Sequence, residues 1–121
     1  MGQPPPPVNA ITACTPDSVT INGVVWRESV LVPSSGKVEP LGRTEFAALT
    51  AGDFERAGRS QPALVVFGSG ARIRFPSAEQ LRPLIEAGIG LESMDTLAAC
   101  RTYSILVSER RKVVAMLLLG G

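Results

Sequence analysis

The stretch Ala63-Leu64-Val65-Val66-Phe67-Gly68-Ser69-Gly70 decides the fold of this chain. Its apolar run is too short for a buried helix and ends in a glycine turn. It reads as a strand covered on both faces, as strands inside a parallel or mixed sheet are. Outward from it, an extended segment covers Arg72 to Phe75. Ser77 and Gln80 then stand three apart, the spacing of a capping box, and start a helix that Pro83 kinks. Gly88 supplies a left-handed stop, Ile89 to Met94 gives the next strand, Asp95 or Thr96 caps a longer helix to about Ser108, and Lys112 to Leu119 is the last strand. Strand, helix, strand, helix, strand implies right-handed crossovers. The expected fold is α/β and layered, with a central mixed, mostly parallel sheet of about five strands and helices on its faces.

Toward the amino terminus, Val19, Ile21, Val24 and Trp26 flank Asn22-Gly23, the pair best suited to the two positive φ angles of a tight hairpin. Val30 to Val32 forms another β run. Ser34-Ser35-Gly36 turns it into Lys37 to Leu41, so an N-terminal antiparallel β meander is expected beside the sheet. Thr44 reads as the cap of a short helix through Phe46 and Leu49, interrupted by Gly52, with a further turn from Asp53 to Ala57 stopped by Gly58. The run Pro4 to Pro7 fixes φ and removes four donors, which favours a solvated arm. The boundaries expected are a disordered Pro-rich tail over residues 1–14 and a single globular domain over residues 15–121.

Composition excludes several chemistries. With no histidine, no Ser/His or Cys/His couple and no imidazole metal site can be built. Twelve basic against eleven acidic side chains give a net charge of +1, which argues against a protein built to grip nucleic acid. At 121 residues, a core needs no metal or disulfide staple. Cys14 and Cys100 lie far apart in the chain, form no CxxC or zinc pattern, and read as reduced thiols in a cytosol. The longest apolar stretch, Val113 to Leu119, falls well short of the roughly 20 residues of a spanning helix. No secretion or myristoylation signal is read at the amino terminus, and a cytoplasmic location is expected. No catalytic residue, metal site or cofactor is expected.

The Gly68-Ser69-Gly70 turn invites a nucleotide-binding reading, but Ile73 stands where a dinucleotide fingerprint needs glycine or alanine, and no P-loop run exists. The turn nonetheless follows the carboxyl end of a strand, where open α/β sheets form crevices. A candidate pocket there comprises Gly68, Ser69, Gly70, Met94, Asp95 and Thr96, with Arg101 available to bind a carboxylate. The helix from Thr96 is apolar around most of its circumference and is expected to be largely buried. Arg101, Ser104 and Ser108 form its polar stripe, and Arg101 is expected in an ion pair with Glu92, Asp95 or Glu109. Catalysis by Cys100, or by Glu92 and Asp95 as paired carboxylates, is a weaker reading, because a thiol on an apolar face behaves as a small hydrophobe. The diglycine end, Gly120-Gly121, resembles that of ubiquitin-like sulfur carriers, although it follows directly on an expected buried strand.

From Leu64 to Leu119, one combination of residues carries a resemblance. It runs through Gly68-Ser69-Gly70, Phe75-Pro76, Gly88-Ile89, Glu92, Met94-Asp95-Thr96, Ala99-Cys100-Arg101-Thr102-Tyr103, Glu109, Arg111 and Val113. It resembles the uncharacterised domain family first known from a methanogen archaeon, to which mitochondrial complex I assembly factor 3 and the adipogenesis-associated domain protein belong. The resemblance covers the second half closely and the first half loosely. It departs from the family pattern at Ser69, where threonine is usual, and at Ser104, where asparagine commonly follows the tyrosine. It implies a mixed five-stranded sheet with an additional β layer, and no established reaction. The function it implies is a small bacterial, cytoplasmic, non-catalytic interaction or assembly domain with protein partners, assisting biogenesis of membrane-bound complexes without spanning a membrane. Arg72, Arg74 and Arg82 are its candidate contacts. The rival class is a small-molecule binder or enzyme using the Gly68 to Gly70 turn, Asp95, Thr96 and Arg101.

Overall fold

In the computed structural model, which describes residue 2 and residues 7–120, the deciding stretch forms the strand Leu64–Gly68, an interior strand of a five-stranded sheet. The strands are β1 (Ile11–Thr15), β2 (Ser18–Ile21), β3 (Val24–Trp26), β4 (Val30–Pro33), β5 (Glu39–Pro40), β6 (Leu64–Gly68), β7 (Gly90–Met94) and β8 (Val113–Leu117). The helices are α1 (Ala51–Gly58), α2 (Ala78–Glu86) and α3 (Thr96–Ser108). The order in the main sheet is β5-β4-β8-β6-β7. β6 pairs in parallel with both β7 and β8, while β4 runs antiparallel to β8, and β5 to β4. The α/β layered architecture with a mixed central sheet is therefore as expected.

The two-residue period of a strand explains why β6 and β8 are apolar throughout. Val66, Val113, Ala115 and Leu117 point to one face, into a core with Val19, Ile21, Ala99 and Tyr103 from the N-terminal strands and α3. Val65, Phe67, Val114 and Met116 point to the other, into a core with Phe54, Ala57 and Leu84 from α1 and α2. Each strand thus serves two cores, and no face is left for solvent.

The hairpin between β2 and β3 turns on Asn22 and Gly23, with φ of 53° and 81°, the two left-handed residues its geometry requires. β1, β2 and β3 form a separate antiparallel sheet, while β4 and β5 extend the main one rather than continuing the meander. The tail boundary also moves. Residues 11–14, read from sequence as tail, belong to β1, which pairs with β2 from Ile11↔Ile21 to Thr15↔Ser18. Asn9 is buried too, its side-chain amide donating to the carbonyls of Pro33 and Gly36 at 2.7 and 2.9 Å. The alternation that makes β1 begins right behind the proline run, which hid it. Pro4 to Pro6 lie outside the described residues.

The helix expected from Thr44 is a single 3-10 turn, Phe46–Ala48, and the α-helix starts later. Its start is fixed by Asp53, whose carboxylate accepts the Thr50 amide at 2.8 Å and Arg43 Nε at 3.2 Å. Gly52 therefore sits in the first turn of α1 instead of breaking a helix. The segment from Arg72 to Phe75 has no strand partner and is a loop.

Candidate functional site

At the carboxyl ends of β6 and β8, the start of α3 comes against the sheet so closely that only glycine fits at position 68. A Cβ there would lie 2.9 Å from the Thr96 Cα and 3.0 Å from the Ala99 Cβ. Thr96 is buried; its hydroxyl accepts the Gly70 amide at 2.8 Å and donates to the Leu118 carbonyl at 2.7 Å, while its own amide donates to the Gly70 carbonyl at 2.9 Å. Gly70 adopts φ 98°, a left-handed value that suits glycine. Asp95 caps α3, accepting the Ala98 amide at 2.9 Å, so its negative charge already meets the positive end of the helix. Ser69 is buried, and its amide donates to the Met94 carbonyl at 2.9 Å. Its hydroxyl donates to the Arg72 carbonyl at 2.6 Å and accepts the Arg74 amide at 2.9 Å.

These bonds satisfy the polar groups that sequence reasoning offered to a ligand, and the surface does not gather them into one pocket. Gly70, Asp95 and Thr96 line a hollow of about 360 Å³ with Pro16 and Asp17. Ser69 lines a separate one of about 530 Å³ with Glu45, Phe46, Arg72 and Arg74. Met94 lies in a third, with Phe75 and Pro76, and Gly68 lines none of these. Arg101 sits on the outer side of α3, in a hollow of about 540 Å³ with Cys14 and Cys100. The expected buried ion pair of Arg101 is not formed: the side chain is exposed, and the ion pairs among the described residues are Arg43–Asp53 and Arg56–Glu39. The reason is the phase of the helix. Its buried face is Thr96, Ala99, Cys100, Tyr103 and Leu106, spaced by three and four, which turns Leu97, Arg101, Ser104 and Ile105 outward. Helix α3 is accordingly half exposed rather than largely buried.

The carboxyl-terminal residues are held by the fold. Leu118 and Leu119 are buried, and the Gly120 amide donates to the Pro16 carbonyl at 2.9 Å, leaving no free arm before Gly121, which lies outside the described residues. Among the described residues, no three cysteine, aspartate or glutamate side chains gather as a metal site.

The loop after the buried Ser69 presents a different surface. Ile73 is 53% and Phe75 71% exposed, and they alternate with the exposed Arg72 and Arg74. The Arg74 guanidinium lies 5.8 Å from the centroid of the Phe46 ring, within cation–π range. Arg82 is exposed on the neighbouring helix α2. Phe75 and Pro76 wall a hollow of about 400 Å³ against Leu81, Leu91, Glu92, Ser93 and Met94. Ser93 Oγ in that wall is buried without a hydrogen-bond partner among the described residues, and β7, which carries it, is an edge strand. Sequence reasoning picked out the three arginines and missed Ile73 and Phe75. The alternating Arg-Ile-Arg-Phe was the available signal, but the segment reads from sequence only as extended, with no face assigned to it.

Sequence reasoning also missed a pair. The Sγ atoms of Cys14 and Cys100, 86 residues apart, are in contact at 2.8 Å. No local spacing signals this, because the contact depends on β1, which the tail reading had removed.

Fold and surface together define a small layered α/β domain whose buried polar groups hold its turns and whose most exposed large apolar side chain among the described residues, Phe75, sits on a braced loop. The family described as proteins of unknown function (DUF498/DUF598) matches residues 11–118, and the chain belongs to it. An uncharacterized protein of Rhodobacter capsulatus is 35% identical over 104 residues, 85% of this chain and 78% of that one. NADH dehydrogenase [ubiquinone] 1 alpha subcomplex assembly factor 3 of Danio rerio is 41% identical over 58 residues, covering 48% of this chain but only 33% of that protein. Among solved structures, a Bordetella parapertussis protein superposes with a TM-score of 0.90 at 35% identity, covering 96% of this chain and 99% of that chain. An outer membrane protein from Bartonella henselae superposes with a TM-score of 0.83 at 26% identity, covering 94% and 97%. No helix among the described residues is long and apolar enough to cross a membrane.

Proposed function

We propose that this domain is a non-catalytic protein-interaction module that assists assembly of a membrane-bound complex, acting from the cytoplasm through the Arg72 to Phe75 loop. The observation that carries the reading is the placement of Ile73 and Phe75. A phenyl ring 71% exposed at the rim of an apolar hollow is suited to insertion into a partner, or to flanking a side chain received from one. Arg72, Arg74 and Arg82 around it favour an acidic rim on that partner. The unpartnered Ser93 hydroxyl gives the hollow one polar anchor. The likeness to a complex I assembly factor supplies the kind of partner, a subunit of a respiratory NADH dehydrogenase.

Deleting the gene in the organism of origin and resolving membrane complexes on native gels tests this. Mature NADH dehydrogenase falls in the deletion strain, returns with the wild-type gene and does not return with Phe75→Ser. Undiminished complex in the deletion strain contradicts the reading.

A further inference from the structure

Cys14 on β1 and Cys100 on α3 face each other across the junction of the small sheet and the helix, sulfur against sulfur at 2.8 Å. Both are free thiols, and their sulfurs need approach by less than about 1 Å to reach the roughly 2.05 Å of a disulfide bond. The surroundings differ for the two. Cys14 is half-buried and opens on the hollow of about 540 Å³, whereas Cys100 is 4% exposed beneath it. The exposed guanidinium of Arg101 lines the same hollow, and Leu97 and Ile105 give it apolar walls. The hydrogen bond from Cys100 holds the Cys14 thiol below its ordinary range, with the Arg101 charge acting the same way against burial. That same bond, followed by burial, pushes Cys100 up. A half-buried thiol whose ionisation is favoured, above a buried thiol whose ionisation is disfavoured, is the arrangement of an attacking and a resolving cysteine.

We propose that Cys14 and Cys100 are a reversible redox modification site that exchanges with a small carboxylate-bearing disulfide of the glutathione class and closes into an intramolecular bond between β1 and α3. The Cys14 thiolate attacks one sulfur of the incoming disulfide, forming a mixed disulfide and expelling one thiolate. Cys100 loses its proton to solvent as its sulfur attacks the Cys14 sulfur, and the second thiolate leaves. Two protein thiols are oxidised by two electrons, and one small disulfide is reduced to two small thiols. Arg101 receives the carboxylates of the reagent during the first step. The bond closes a long loop and ties the N-terminal strand to the core, so the oxidised form resists opening of β1. This site rests on the cysteine pair alone and is separate from the Arg72 to Phe75 loop.

The test uses the reduced full chain, incubated with glutathione and its disulfide at set ratios, quenched with acid and an alkylating agent, and read by intact and peptide mass spectrometry. The wild type is expected to lose two hydrogens, to yield a Cys14–Cys100 linked peptide, to remain monomeric and to melt several degrees higher than its reduced form. Cys100→Ser, with Cys100→Ala as the alternative if serine unfolds the chain, stops at a glutathione adduct on Cys14. Cys14→Ser reacts at Cys100 at least about tenfold more slowly than the wild type reacts at Cys14. Arg101→Gln slows the first step several-fold at low ionic strength. Adducts that accumulate on the wild type without the linked peptide, oxidation that gives only intermolecular dimers, or two thiols that stay unreacted overturn the proposal.

Discussion

The buried hydroxyl of Ser69 accepts the backbone amide of Arg74 at 2.9 Å, so the residue that follows β6 holds the base of the exposed loop that carries Ile73 and Phe75. The same hydroxyl donates to the Arg72 carbonyl at 2.6 Å. One side chain therefore bridges both sides of the turn, and a loop with no strand partner gains a defined shape. A preorganised apolar loop loses less entropy on docking than a mobile one.

Replacing that hydroxyl separates shape from surface. Ser69→Ala leaves the Arg74 amide and the Arg72 carbonyl without their partner and costs about 1–3 kcal/mol in denaturant unfolding. Hydrogen exchange at the Arg74 amide quickens by more than at amides in β6. Unchanged exchange at Arg74 would show that the bond does not hold the loop.

Position 68 tests the close approach of α3. In Gly68→Ala the added methyl meets the Thr96 Cα at 2.9 Å, a backbone atom that moves only with the helix. Overpacking of this kind costs about 1–3 kcal/mol, and the melting temperature falls accordingly. Gly120→Ala, with open space around its Cβ but a φ of 74°, is a control for backbone strain without a clash.

Tyr103 links three elements. Its hydroxyl donates to the Asn9 carbonyl at 2.7 Å, with the Pro33 carbonyl at 3.2 Å, and Tyr103→Phe costs about 1–3 kcal/mol because a buried acceptor loses its donor. Burial raises the phenol above its ordinary range. The neutral form is therefore favoured in the folded state. Its contribution is fully present below the ordinary tyrosine value of about 10 and is lost as pH rises beyond it. Alkaline titration of the phenolate absorbance is expected to show ionisation only together with unfolding. A reversible titration near pH 10 in the folded protein would contradict the burial.

Much of the fold could be read locally. The β6 run, the Asn22-Gly23 hairpin, the Ser77–Gln80 capping box and the Asp95 cap each carry their signal within a few residues, and the structure reproduces them. What failed depended on distant partners. β1 exists because Ile11 and Cys14 find β2, and because Asn9 is claimed by Pro33, Gly36 and Tyr103. Arg101 was placed inside because α3 is apolar on most sides, yet only one face of that helix meets the sheet, and the phase of that face is set by packing. Of the candidate pocket's residues, Gly70 and Thr96 do meet. Their hydrogen-bonding groups, however, are spent on the turn itself, which sequence spacing does not reveal.

Crosslinking from the tip of the loop addresses docking most directly. A photoreactive phenylalanine analogue in place of Phe75 keeps the aromatic ring, and because the site is exposed, stability is expected to change by no more than about 0.5 kcal/mol. Irradiation in cells is predicted to join position 75 to a subunit of the respiratory NADH dehydrogenase or of another membrane-bound complex, whereas the same analogue at Ile85, equally apolar and 61% exposed on α2, does not. A folded, irradiated protein that forms no adduct at position 75, or the same adducts from both positions, would contradict docking through this loop.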